Sequence, residues 1–366
     1  MKSTFRFLAA ALLAAALFRP EASAALDKIK LRLAPMPGIG HLLPELALGL
    51  GYFASEGIEL ELVNVMNYRD EDFYSTELLN DGTMDAEICW YQRVVFGIGN
   101  GQPAQAVLLI EDSPHLTISV ANRLCDQIRT AADFKGRTIA DSAGFSTRRY
   151  LTDYIIARAG LPPGSYTPAP AELSAKLPLL TKALQAEQVD LVACMEPMTS
   201  GLLATKLITP LYDLSTAEGT RRALGDVWPA RCLYFAPSFI QAHPDRVQRL
   251  VNVFVRTMRY LNTHTAEEII AKMPAGYFAP DTNNDFWAEY KRTKTDEIAK
   301  VLPGLTHGDY SIPPSAAKFA CEVLFHTDFD DSPEGKYRRT AARSGKVRPE
   351  VTYDNRFVEQ AMKEIP

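Results

Sequence analysis

Apolar positions in the first part of the chain switch between two periods, and the switch predicts a strand, a helix and a second strand. The run from Ile29 to Ala34 reads as a strand, and Ile58, Leu60 and Leu62 alternate as another. Between them Leu42, Leu46, Leu50 and Phe53 recur at helical spacing. Pro44 suits the first turn of that helix, where its missing N–H is not needed. Gly57 ends the helix without steric cost. Two strands joined by one helix run parallel in one sheet. The loop Pro35–His41 then lies at the carboxyl end of a strand, the side on which open α/β sheets bind ligands.

The alternation continues. Helices are expected over 70–80, Gln92–Gly101, Thr130–Lys135, Ser146–Ala159 and Lys176–Glu187. Strands are expected at Met84–Cys89, Ala104–Ile110, Leu116–Ala121, Arg137–Ala140, Val189–Met195 and Leu233–Ala236. From Pro244 the pattern becomes helical, with Val247, Leu250, Val251, Phe254, Val255, Met258 and Leu261 on one face. The charged stretch Asp328–Arg348 is expected to loop over the surface, and Asp354–Lys363 to form a last short helix.

The first 24 residues stand apart. Lys2 and Arg6 precede an apolar run, Phe7 to Phe18, too short to span a bilayer, and Ala22-Ser23-Ala24 is a small-residue cleavage site. With no twin arginine and no cysteine at that site, Sec-type export of an unlipidated product is expected. Cleavage would remove Lys2, Arg6, Arg19 and Glu21 and move the formal charge from −5 to −7. An acidic chain argues against nucleic acid as partner, but a few oriented N–H groups still hold an anion locally. The 366 residues suffice for two cores. The five cysteines show no CxxC spacing, and an odd number cannot all pair within one chain, so mostly reduced, buried thiols are expected.

Several phrases resemble the periplasmic substrate-binding proteins of ABC importers, in the branch for sulfonates, taurine, nitrate and thiamine-pyrimidine precursors. Gly51-Tyr52-Phe53-Ala54-Ser55-Glu56-Gly57-Ile58 matches that family's "GYF-x-x-EG-(I/L)". Ile128 to Ala140 resembles "I-x-(S/T)-x-x-D-L-K-G-K-x-(V/I)-A". Leu184 to Met195 resembles "A-L-x-x-G-x-V-D-A", with Gln188 for the glycine, and Phe239 to Leu250 resembles the passage after the hinge strand. The resemblance covers roughly residues 29–262. It implies an α/β, two-lobed type II periplasmic binding protein fold. Each lobe is a mostly parallel sheet flanked by helices, with the ligand cleft between them. Residues 25–116 and 236–366 would form the first lobe and 117–235 the second, with crossings near Ser113–Thr117 and Leu233–Ser238. The implied location is the periplasm, the implied partners are a small-molecule solute and an inner-membrane permease, and the implied state is a monomer without cofactor.

The candidate site residues follow from strand ends in that frame. Ser142, Phe145, Ser146 and Thr147 follow a strand and open a helix, where free N–H groups and hydroxyls favour an anion. Ser and Thr are also ordinary helix caps. Arg148 and Arg149 add positive charge, one of them expected to be solvated. Trp90 and Tyr91 offer flat apolar faces for a ligand body, or lobe packing. Glu196, in Met195-Glu196-Pro197, would accept a ligand amine or pair with an arginine; the family often has tryptophan where Met195 stands. Gly38, Ile39 and His41 occupy the first loop, where pyrimidine-binding members carry Asn-His; Thr117 lies at the first crossing, and Tyr68 and Arg69 are a weaker pair.

No HExxH or Cys/His spacing points to a metal. No GxSxG elbow is present, and Gly97-Ile98-Gly99-Asn100-Gly101 follows a helix rather than a strand, unlike a dinucleotide loop. No nucleophile–base–orienter set is visible, so no catalytic residue is assigned. The expected function is capture of a small organic solute, anionic and of sulfonate or aromatic type. The alternatives are pyrimidine binding, a related pyrimidine-forming enzyme, and a sensory binding protein without a permease.

Overall fold

The computed structural model describes residues 26–33, 39–63, 76–141, 146–196, 198–274, 298–299, 302, 305–306, 308–326 and 333–365. The leader 1–24, Gly38, Tyr68 and Arg69, and Ser142 to Phe145 lie outside them, so the readings of those residues have no structural counterpart here.

Among the described residues, ten strands sort into two five-stranded sheets. They are β1 (Asp27–Leu33), β2 (Ile58–Val63), β3 (Ala86–Trp90), β4 (Gln105–Leu109), β5 (Leu116–Ala121), β6 (Thr138–Ala140), β7 (Thr167–Pro168), β8 (Leu191–Met195), β9 (Ile208–Leu214) and β10 (Arg231–Phe235). The first sheet has the order β2-β1-β3-β10-β4 and the second β7-β6-β8-β5-β9. The predicted βαβ unit is present: β1 pairs in parallel with β2, Asp27 opposite Ile58, with helix Ile39–Gly49 between them in the chain. Each sheet is mixed, because one strand runs against its neighbours. In the first it is β10, antiparallel to β3 and β4; in the second it is β5, antiparallel to β8 and β9. The helical alternation could not show this, since β5 and β10 each follow a crossing between the sheets rather than a βαβ connection.

The crossings lie between β4 and β5 and between helix Ala217–Leu224 and β10. This corrects the expected boundary: Arg231–Phe235, read as the end of the second lobe, is a strand of the first sheet, and the second crossing precedes Arg231. A four-residue apolar run carries no sign of which sheet it joins. Both crossings meet at a buried cluster. The Glu111 carboxylate lies 3.4 Å from His115 Nε2 and 3.6 Å from Arg231 Nη1. Burial alone would raise the Glu111 pKa, but Arg231 and the contact with His115 outweigh it and hold the carboxyl below its usual range. His115 adopts φ 51, a left-handed conformation uncommon for residues other than glycine.

Among the described residues, three clusters form the core. Helix Pro244–Thr263 buries the whole predicted face from Val247 to Leu261 against β-strand residues Ile29, Leu31 and Leu233, with Phe254 edge-on to Phe53 at 5.9 Å. Each such side chain contributes about 1.5–3 kcal/mol on burial. A second cluster backs the outer face of the second sheet around Val192 and Leu202. The third is continuous between the sheets, from Val94 and Phe96 to Leu151, Ile155 and Leu324. The stretch expected to loop over the surface contains helix Pro333–Arg343, anchored by buried Arg338 and Ala341. All five cysteines are free, and only Cys125 is not buried.

Candidate functional site

Two helices begin at strand ends from different sheets, and their first turns meet. Helix Tyr91–Gly99 follows β3 directly and has no side-chain cap at Trp90. Helix Thr147–Arg158 follows β6 in the chain and is capped by Ser146, whose Oγ accepts the Arg148 N–H at 3.3 Å. Thr147 Oγ1 donates to Gln92 Oε1 at 2.8 Å, in a buried bond that joins the two helix starts. One turn on, Phe96 packs edge-on to Tyr150 at 6.1 Å. The Tyr91 N–H is taken by the Ala230 carbonyl at 2.9 Å and the Arg148 N–H by Ser146, so what the two helix starts offer an anion is chiefly their dipoles.

The two adjacent arginines have different surroundings. Arg149 lies 3.2 Å from Asp141 and 3.3 Å from Asp153, and its guanidinium stacks over Tyr166 at 5.1 Å. Its charge is answered. Arg148 has no carboxylate within salt-bridge distance among the described residues. Its guanidinium makes two long bonds to oxygen, Nε to Ser146 Oγ at 3.4 Å and Nη1 to the Ala193 carbonyl at 3.5 Å, and it also bonds the Cys194 sulfur. Burial pushes its pKa down, yet no side chain in this class loses its proton near neutral pH. A partly buried cation with weak partners, beside two helix starts, is suited to an external anion.

The strand end beside it is β8. Cys194 is buried, and burial pushes its thiol up to about 11. Thr117, also buried, lies opposite Cys194 in the register of β5 and β8. Glu196 accepts the Ser200 N–H at 3.3 Å and so caps helix Met198–Ala204, a use different from the expected arginine pair. Trp90 is half-buried at the end of β3, with Arg231 Cζ 6.0 Å from its ring. Tyr91 turns into the core, 1 % exposed, where its hydroxyl shares a hydrogen bond with Thr352. Its ring therefore belongs to the packing of the C-terminal segment. Ile39 and His41 fall in the first turn of helix Ile39–Gly49.

The structure thus brings Ser146, Thr147 and Arg148 together with Gln92 and Cys194, and leaves Tyr91 inside the core. Gln92 was not singled out from sequence, and nothing in its neighbourhood marks it. The difference between the arginines was legible: Asp153 stands four residues after Arg149, whereas Thr152 stands four after Arg148. A separate open groove beside helix Pro244–Thr263 is lined by Tyr52, Arg256, Tyr260 and Tyr310, among others. There Arg256 lies 4.3 Å over Tyr52 and 3.5 Å from Glu56, so its charge, unlike that of Arg148, is answered.

The model of the family described as NMT1/THI5 like matches residues 41–268, more than half of the chain. No curated protein matches the sequence. Among solved structures, a protein from Bordetella bronchiseptica RB50 is similar at 23% identity and TM-score 0.66, over 94% of this chain and 99% of its own. A putative sulfonate ABC transporter component, the periplasmic sulfonate-binding protein SsuA from Methylobacillus flagellatus KT, is similar at 12% identity and TM-score 0.67, over 93% and 95%. The desulfurization enzyme DSZB is similar at 13% identity and TM-score 0.56, over 93% and 100%. At these identities the likeness is one of fold.

Proposed function

We propose, from the premise that this chain belongs to the NMT1/THI5-like family, that it is the solute-binding component of an ABC importer. It captures a small organic anion of sulfonate type in the periplasm and delivers it to a membrane permease. The observation that carries the reading is Arg148, a partly buried guanidinium with no carboxylate in salt-bridge distance among the described residues, at the junction of two helix starts. A ligand anion there would receive charge-assisted hydrogen bonds, each worth about 1.5–3 kcal/mol. The half-buried face of Trp90 is a candidate wall for the ligand body. In this reading the two sheets head two lobes, the second ending before Arg231, and the solute sits between them. The sulfonate-binding neighbour supports the class of anion.

Binding fits better than catalysis. Cys194, next to Arg148, has its thiol pushed up to about 11, which leaves it protonated and a weak nucleophile near neutral pH. A neutral pyrimidine would leave the Arg148 charge unanswered, so the pyrimidine alternatives fit less well.

The test is a thermal-shift panel with methanesulfonate, taurine, benzenesulfonate, nitrate, benzoate and a neutral aminopyrimidine. A bound ligand at ~100 times its dissociation constant adds ~2.7 kcal/mol of stability. Stabilisation by an organic anion and not by the pyrimidine is expected. Stabilisation by the pyrimidine alone would overturn the reading.

A further inference from the structure

The last hundred residues lie beyond the family match, which ends at residue 268. Two helices there, Pro314–His326 and Pro333–Arg343, pack at once on elements of both sheets. On the first-sheet side they hold helix Tyr91–Gly99. Phe325 and Tyr337 sit edge-on to Phe96 at 5.9 and 6.3 Å, and Asn100 Nδ2 donates to the Tyr337 carbonyl at 3.2 Å. The contact at Gly99 is close enough that a Cβ there would lie 2.4 Å from the Ala341 Cα. On the second-sheet side they hold helix Thr147–Arg158. Phe319 packs edge-on to Tyr154 at 5.4 Å, and buried Arg338 stacks over Tyr150 at 4.3 Å. Phe319 also meets Trp228, on the second crossing, at 6.3 Å.

We infer that this C-terminal helix pair is a strap that holds the two halves of the protein together before any ligand arrives. The argument is mechanical. Separating the two sheets by rotation at the crossings would pull the helices Tyr91–Gly99 and Thr147–Arg158 apart, as it must break the Gln92–Thr147 bond. The strap grips both helices, so it must release one of them for that rotation to proceed. Close-packed aromatic contacts do not stretch; they are made or lost. The resting protein is therefore closed, with the two helix starts already beside each other and little closure left for the ligand to drive. This holds whichever solute the site takes.

The test measures the distance between the halves without ligand. Dyes are placed at the exposed positions Leu48 and Leu179 through Leu48→Cys and Leu179→Cys, with Cys125→Ser to silence the partly exposed native thiol. Single-molecule energy transfer then compares the parent with Phe319→Ala, Arg338→Met and Gly99→Ala. A fourth variant, Phe53→Ala, removes an aromatic contact with Phe254 in the first-sheet core away from the strap. A single narrow distribution is expected for the parent and for Phe53→Ala, with a longer, broader one for each strap variant. Should Phe319→Ala fail to fold, Arg338→Met and Gly99→Ala carry the same comparison. A broad distribution in the parent, unchanged distances in the strap variants, or equal broadening in Phe53→Ala would overturn the inference.

Discussion

Replacing Asp141 with asparagine should remove a loss of stability that this one carboxyl imposes as pH rises toward about 6. Asp141 is fully buried at the end of β6, and the Tyr166 hydroxyl touches both its Oδ2 at 2.5 Å and Asp153 Oδ1 at 2.8 Å. A phenol has one proton to donate. With two carboxylates in reach, one contact is a proper hydrogen bond only if that carboxyl carries its own proton. Burial pushes Asp141 up to about 6, against the pull of Arg149 and Tyr166, and Asp153 also rises. The folded state therefore binds a proton that the unfolded state, near 3.8 for this group, has already lost. A folded pKa above the unfolded one contributes stability that is present at low pH and is lost as pH rises through the folded value. Between pH 3.8 and about 6 the wild type should lose up to roughly 3 kcal/mol relative to a chain without the group. Coupling to Asp153 spreads that loss over the pair. Urea unfolding of wild type and Asp141→Asn at half-unit steps from pH 4 to 8 reads this directly. The stability difference should move in the variant's favour by about 1–3 kcal/mol across the window. Parallel curves would show that Asp141 ionises normally and would refute the shared-proton account.

Other consequences follow from single contacts. Thr147→Val deletes the hydroxyl that bridges to Gln92 and should destabilise the fold by about 1 kcal/mol in urea; no change would mean the bond does not form in solution. In native protein only Cys125 should react readily with a thiol reagent, and all five should react after unfolding without reductant. Fewer than five would reveal a disulfide, for which Cys89 and Cys232, opposite each other on β3 and β10, are the first pair to examine. Exported protein should have an intact mass lacking residues 1–24; retention of Met1 would count against the leader reading.

Much of the first half was legible because its periods are clean. Leu42 to Leu46 and Ile58 to Leu62 state a helix and a strand in the residues themselves, and a parallel sheet follows from their order, but the helix read through Phe53 breaks at Gly51, with φ 71, into Ile39–Gly49 and Tyr52–Ser55, and Pro44 lies inside the first piece rather than in its first turn. The site was legible only as a place. Ser146 and Thr147 open a helix after a strand, as read, but the structure engages both hydroxyls internally, one as a cap and one with Gln92. Hydroxyl residues serve capping and ligand contact equally well, so residue type alone does not separate these uses. Glu196 poses the same ambiguity for a carboxylate. The tertiary relations were out of reach. Nothing around Leu233 says which sheet it joins, and the charged surface of Pro333–Arg343 hides the few residues, Tyr337, Arg338 and Ala341, that anchor it.

The most direct test of the account is calorimetric titration of wild type and Arg148→Gln with the anion that stabilises the wild type most. Asn262→Asp, which changes charge in the groove lined by Tyr52 and Tyr310, serves as control. Arg148 is a charged donor held by two long bonds to oxygen and by the Cys194 sulfur, so its loss should weaken binding roughly tenfold to a hundredfold. Affinity in the control should stay at the wild-type value. Unchanged affinity in Arg148→Gln, or a loss confined to Asn262→Asp, would move the anion site away from the two helix starts and contradict the account.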